Sequence, residues 1–161
     1  MVNTTSAAQS VTSRFFHSGD GYIHLLSRKN SKVFRGIYRE GNGHYNTDAY
    51  RKISAVFDAP YQSSQVLSLR LIEFIDYLED QLGKGSLITI TSGYRPPEYN
   101  TQLRKGGALA AKASLHQYGM AADFILDGVP SKRVWEYVQS IGFGCGSFAI
   151  PKNRQYCNWL S

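Results

Sequence analysis

Apolar residues recur at three- and four-residue spacing through QVLSLRLIEFIDYLEDQLGKG, residues 65–85: Leu67, Leu71, Phe74, Ile75, Leu78 and Leu82. That period marks one face of an α-helix, and Gly83 closes it. TDAYRKISAVFDAP (47–60) opens on a Thr-Asp cap signal, ends at Pro60, and puts Ile53, Val56 and Phe57 on one face, which predicts a second helix. SKRVWEYVQSIG (131–142) predicts another, with Ser131 as N-cap and Val134, Trp135, Val138 and Ile141 turned inward. PPEYNTQLRKGG (96–107) reads as a short helix that starts on proline and stops at Gly106.

The other pattern is alternation. LITITS (87–92) and MAADFIL (120–126) read as buried strands, and SFAI and RQYCNWL as strands after the turn GFGCG. Residues 14–46 carry aromatic and β-branched runs broken by Gly-Asp-Gly, Arg-Lys-Asn-Ser and Gly-Asn-Gly, which predicts an N-terminal β-hairpin region of two or three short strands. Residues 1–13 are polar and without period, so a disordered arm is expected there. Residues 47–161 carry the rest of what reads as one domain. The order of elements predicts an α+β fold with a central antiparallel sheet flanked by helices.

Composition changes this picture little. The 161 residues are 42% hydrophobic and 19% charged, as in an ordinary globular domain. No apolar run is long enough to span a membrane. MVNTTSAAQS lacks the basic and apolar segments of a signal peptide. The net charge of +6 favours anionic partners, an anionic cell-wall polymer among them. The basic residues are scattered and carry no nucleic-acid motif, so a solvated basic surface accounts for them and nucleic acid is not expected. Cys145 and Cys157 form no C-x-x-C pair; one bridge between them is allowed and not required.

The chemistry concentrates in SLHQYGMAAD (114–123). Gly119 permits a tight reversal after His116. In the strand that follows, Ala121, Asp123 and Ile125 share a face, so Asp123 is an acid inside an apolar strand. Such a charge needs a hydrogen-bonding partner or a metal. A zinc site takes His, Asp, Glu or Cys, and His116 with Asp123 supplies two such ligands. The bland alternative is a surface histidine and a hydrogen-bonded buried aspartate.

The string Ser114-x-His116-x-x-Gly119-x-Ala121-x-Asp123 resembles the zinc-site motif of the D-Ala-D-Ala carboxypeptidase and dipeptidase family. TSGYRPPEYN resembles that family's Ser-Gly-Tyr-Arg segment, in particular the YcbK-like branch of exported cell-wall proteins. The resemblance covers roughly residues 55–145. It implies a Hedgehog/DD-peptidase-like fold, zinc as cofactor, peptidoglycan stem peptides as substrate, and a periplasmic or extracellular place of action. It also implies roles: His116 and Asp123 as zinc ligands, Arg95 as the catalytic arginine at the developing oxyanion, and Ser114 and Tyr94 at the substrate. A guanidinium beside a polarised carbonyl suits that role; a structural arginine tying two loops is the alternative.

The family completes its site near the C-terminus with a second histidine and a carboxylate base. Here the histidines are His17, His24, His44 and His116, and the only acid after Asp127 is Glu136. Cys157 falls near the position of the missing ligand, and a thiolate binds zinc well. A buried structural cysteine is the alternative, and an N-terminal histidine offers another route. Two functions follow as expectations: a zinc peptidase on cell-wall peptides, active or silenced, and a non-catalytic module of the same fold that binds the wall or a protein.

Overall fold

A computed structural model describes residues 15–61, 66–105, 114–142 and 155–158, the last four by their backbone. The elements are β1 (Tyr22–Ser27), β2 (Val33–Ile37), α1 (Thr47–Val56), α2 (Leu69–Leu82), β3 (Ile88–Ser92), α3 (Pro97–Lys105), a 3₁₀ turn (Leu115–Tyr118), β4 (Ala121–Leu126), α4 (Ser131–Ser140) and β5 (Gln155–Asn158). The fold is α+β, as expected. Residues 1–13 and SFAI lie outside the described residues.

The sheet runs β2-β1-β3-β4-β5. It is mixed rather than wholly antiparallel, because β1 and β3 pair in parallel while the other three pairs are antiparallel. The connection explains this. Two helices lie between β2 and β3, a crossover long enough to return the chain beside β1 in the same direction.

Side-chain alternation gives the sheet two unlike faces. Ile23, Leu25, Ile88, Ile90, Ala122, Phe124 and Leu126 lie on one face and are buried in a single core with Ile53 and Val56 of α1 and Leu71, Ile75 and Leu78 of α2. The opposite face carries Ser92 and Asp123 in register.

Helix limits differ from the periodicity in instructive ways. Leu67 is buried without being helical: its carbonyl accepts the Tyr50 hydroxyl at 2.7 Å, and the next amide, of Ser68, donates to Gly119 at 2.9 Å. Asn46, not Thr47, caps α1, its side chain accepting from the Ala49 amide at 3.0 Å. On α4 only Val134 and Val138 are buried, and Trp135 is 42% exposed. Trp135 is one residue past Val134, about 100° around the helix.

The polar side of α2 is not solvated. Glu73, Asp76 and Glu79 are buried. Asp76 accepts the Tyr38 hydroxyl at 2.7 Å and the Gly21 amide at 2.9 Å, and Asp80 accepts the Asp20 amide at 2.7 Å. These bonds fix α2 to the segments flanking the β1–β2 hairpin. Burial pushes the Asp76 carboxyl up to about 8, against the two hydrogen bonds and with help from the Asp80 and Asp20 charges. The folded state therefore holds one more proton than the unfolded chain between about pH 4 and pH 8. Stability should fall as pH rises through that window, by on the order of a few kcal/mol, and level off above it. Urea melts from pH 5 to 8.5 check this. Asp76→Asn should flatten the slope relative to wild type, and an unchanged slope would remove Asp76 as its source.

Candidate metal and substrate site

The site begins with an irregularity in β3. Ile90 pairs with Phe124, but the next pairing is Ser92 with Asp123, so Thr91 is the extra residue of a bulge. The bulge brings Ser92, rather than Thr91, opposite Asp123. Beyond it the chain is pressed onto the end of α1. The Tyr94 amide donates to the Phe57 carbonyl at 2.7 Å, and a Cβ on residue 93 would stand 2.3 Å from that same oxygen, so only glycine fits. The Arg95 amide then donates to the His116 carbonyl at 3.0 Å. The segments SGYR and SLHQYG are thereby joined through their backbones.

Gly119 adopts a left-handed φ of +61° at the end of the 3₁₀ turn, where it reverses the chain into β4. The reversal puts His116 beside Asp123. Both are buried, at 5% and 4% exposure. His116 Nδ1 lies 2.7 Å from the Gly93 carbonyl. A carbonyl only accepts, so Nδ1 carries a hydrogen and Nε2 is turned toward Asp123 Oδ1 at 3.4 Å. Asp123 Oδ2 accepts from Arg95 Nη2 at 3.2 Å, and Arg95 Nε donates to Ser92 Oγ at 3.0 Å. Among the described residues Asp123 Oδ1 is buried and accepts no hydrogen bond.

An imidazole nitrogen facing an unpaired carboxylate oxygen calls for a cation between them. A proton on Nε2 would make the two an ion pair. Zinc fits the same spacing: two N/O ligands at ordinary zinc distances in a tetrahedron are about 3.3 Å apart. The Gly93 carbonyl also supplies the outer-shell acceptor that metal-bound histidines commonly have.

Ser114 is half-buried at the start of the 3₁₀ turn, where its carbonyl accepts the Gln117 amide at 2.9 Å and its hydroxyl makes no capping bond. Tyr94 packs against the core. His24 lies on β1, two strands from β4. His17 contacts the Phe16 and Tyr77 rings, and His44 is exposed. Among the described residues the one group of three or more ligand-type side chains is Asp20, Asp76 and Asp80, away from this pair, and Lys84 already bridges Asp20 and Asp80 at 3.0 and 3.1 Å.

β5 pairs with β4 so that Tyr156 is opposite Asp123, Asn158 opposite Ala121, and Cys157 opposite Ala122. Cys157 therefore takes a position on the face of Ala122, away from the face of Asp123. Spacing along the sequence brings it to the right strand but not to the right face, because one residue along a strand changes sides.

Beside Arg95 a cleft of about 90 Å³ opens at the carboxyl ends of the parallel strands β1 and β3. Lys29, Asp58, Thr91, Tyr94, Arg95 and Tyr99 line it. Lys29 Nζ lies 3.0 Å from Asp58 Oδ2 and 6.0 Å from the centre of the Tyr99 ring. Sequence reasoning missed Lys29 and Asp58. The available signal was an acid at the end of a predicted helix, where glycine is the usual residue.

A family model described as peptidoglycan L,D-endopeptidase MepK matches residues 19–157, most of the chain. No curated protein and no solved structure matches it.

Proposed function

The chain belongs to the peptidoglycan L,D-endopeptidase MepK family, and from that premise we propose that it binds peptidoglycan stem peptides across a zinc-holding His116–Asp123 pair and hydrolyses them slowly or not at all. The observation that carries the proposal is the unpaired, buried Asp123 Oδ1 facing His116 Nε2 at 3.4 Å. When bound there, zinc would act as a Lewis acid on a scissile carbonyl. His116 would offer Nε2 as a ligand, because the Gly93 carbonyl fixes the hydrogen on Nδ1. Arg95 is anchored by Ser92 and Asp123 and also lines the cleft, so its guanidinium is positioned to offset negative charge growing on the carbonyl oxygen. Ser114 and Tyr94 flank these groups and are proposed to contact the peptide.

The attenuated activity rests on β5. The two positions on the face of Asp123 are Tyr156 and Asn158, which offer neither imidazole nor carboxylate. A general base contributes typically 10²–10⁴-fold, so its loss leaves binding largely intact and turnover low. A protein acting on the wall works in the periplasm or outside the cell, and among the described residues no helix is long and apolar enough to cross a membrane.

Zinc titration by calorimetry, with metal analysis of the purified protein, tests the proposal. One zinc per chain is expected. His116→Ala and Asp123→Ala should each abolish stoichiometric binding while the circular dichroism spectrum is kept. Wild type without stoichiometric zinc, or folded variants that retain it, would sink the metal reading.

A further inference from the structure

We infer that the cleft beside Arg95 is a subsite for the zwitterionic head of an α-amino acid, an ammonium and a carboxylate on one carbon. This rests on the reading of Arg95 as a residue that faces substrate. Three observations on the cleft carry it.

The first is charge of both signs in one small space. Asp58 and Lys29 form an ion pair in the wall, and Arg95 adds a second cation. The Lys29 side chain is 68% exposed, so it is free to swing, whereas that of Asp58 is only 26% exposed. An incoming ammonium can take Asp58 Oδ2 from Lys29, and the released ammonium of Lys29, with Arg95, meets the carboxylate. The Tyr99 ring lies beside Lys29 to receive its displaced stem.

The second is the backbone of Asp58. It has φ +56° immediately after the C-cap of α1, a left-handed position where glycine costs least. The fold does not require a carboxylate there. The chain nonetheless presents one and fixes it: Asn30 Nδ2 donates to Asp58 Oδ1 at 2.6 Å and to the Ala55 carbonyl at 2.9 Å. Oδ2 is left toward Lys29 and the cleft.

The third is placement. The ion pair and Arg95 line one cleft of about 90 Å³, so a head group of a few heavy atoms can touch both signs of charge at once. In a peptide the main-chain amine and carboxylate are at opposite ends. A zwitterion on one carbon therefore means a free amino acid or a residue whose side chain ends in an amino-acid head. Of the components of a cell-wall polymer, that class of stem-peptide residue carries both charges on one carbon, and the glycan does not.

The test is an NMR titration of the ¹⁵N-labelled protein, as purified, with D- and L-alanine, N-acetyl-D-alanine and D-alaninamide. A free amino acid of at least one hand should give saturable shifts at the Lys29, Asp58 and Tyr99 amides. Each capped compound should bind about tenfold more weakly or worse, the loss of one charge-assisted contact. Asp58→Asn, which keeps the size of the side chain, should weaken binding by a similar factor, and Asp58→Gly should abolish it while leaving the fold at least as stable. Equal binding of N-acetyl-D-alanine would reduce the cleft to a carboxylate site and overturn the inference, as would the absence of any saturable response. Zinc titration of the same sample separates this from the parent reading. Amino-acid binding without zinc sinks only the metal, and zinc binding without amino-acid binding sinks only the subsite.

Discussion

Glu73→Ala should destabilise the protein by about 3–5 kcal/mol, among the largest effects of any single substitution in the chain. Glu73 Oε1 lies 2.7 Å from Arg39 Nε, and both side chains have no exposed surface. Arg39 also donates through Nη2 to the Gly19 carbonyl. Burial works against the Arg39 charge, but the charge and hydrogen bond of Glu73, with smaller help from Tyr38 and Tyr45, together push the guanidinium pKa up. Removing Glu73 leaves that cation buried without its counter-charge, in a place water does not reach. Its helix position matters as well. Glu73 is on α2, whereas Arg39 follows β2 and Gly19 precedes β1, so the pair ties the long helix to both ends of the hairpin.

The double variant Glu73→Leu/Arg39→Met should recover most of the loss. Glu73 Oε2 has no hydrogen-bond partner among the described residues, so the native pair is not fully satisfied, and apolar groups of similar volume can serve as well. Chemical unfolding of the three proteins decides the matter. A cost below about 1 kcal/mol for Glu73→Ala would mean that the guanidinium finds water or another partner. A double variant no better than the single one would mean that packing, not charge, is what the pair contributes.

Glu73 and Asp76 also show where a sequence stops being legible. The apolar stripe of α2 is plain, and the acids at 73, 76 and 80 fall at the same three- and four-residue spacing on another side, which reads as a solvated face. Their partners, Arg39, Tyr38 and the Gly21 amide, are 34 to 55 residues away along the chain, and nothing local announces them. The parallel pairing of β1 with β3 is hidden for a similar reason, since it depends on where two helices deliver the chain. The His116–Asp123 neighbourhood is legible because it is local. One glycine turn brings the two side chains together, and the Ser-Gly-Tyr-Arg segment adds Arg95 just past the end of the adjacent strand. Cys157 stands between these cases: the strand is evident from composition, but its register, and so its face, is set by pairing with β4. The Lys29–Asp58 pair joins a turn to a helix end, and its one local sign is the acid at position 58, where glycine is the usual residue.

Register also yields the second large effect. Tyr156→His/Asn158→Asp should raise turnover of a stem peptide by about 10²–10⁴-fold over wild type in the presence of zinc, the usual worth of a positioned general base. In the observed pairing residue 156 is directly opposite Asp123, and residue 158 is opposite Ala121 on the same face. An imidazole at 156 would bring the protein donors to three with His116 and Asp123, the number a catalytic zinc takes while keeping a position open. A carboxylate at 158 would sit two residues along that face, placed to take the proton of the attacking water. Tyr156→His alone should tighten zinc and leave turnover low. Asn158→Asp alone should do little, because the metal is still held by too few groups. Cys157→His is the control that isolates the register: on the face of Ala122 it should improve neither zinc affinity nor turnover. A gain in Cys157→His with none in the double variant would show that β5 is shifted by one residue in solution. Brisk zinc-dependent turnover by wild type would show instead that an acid from elsewhere, such as Glu98 or Asp127, already acts as the base.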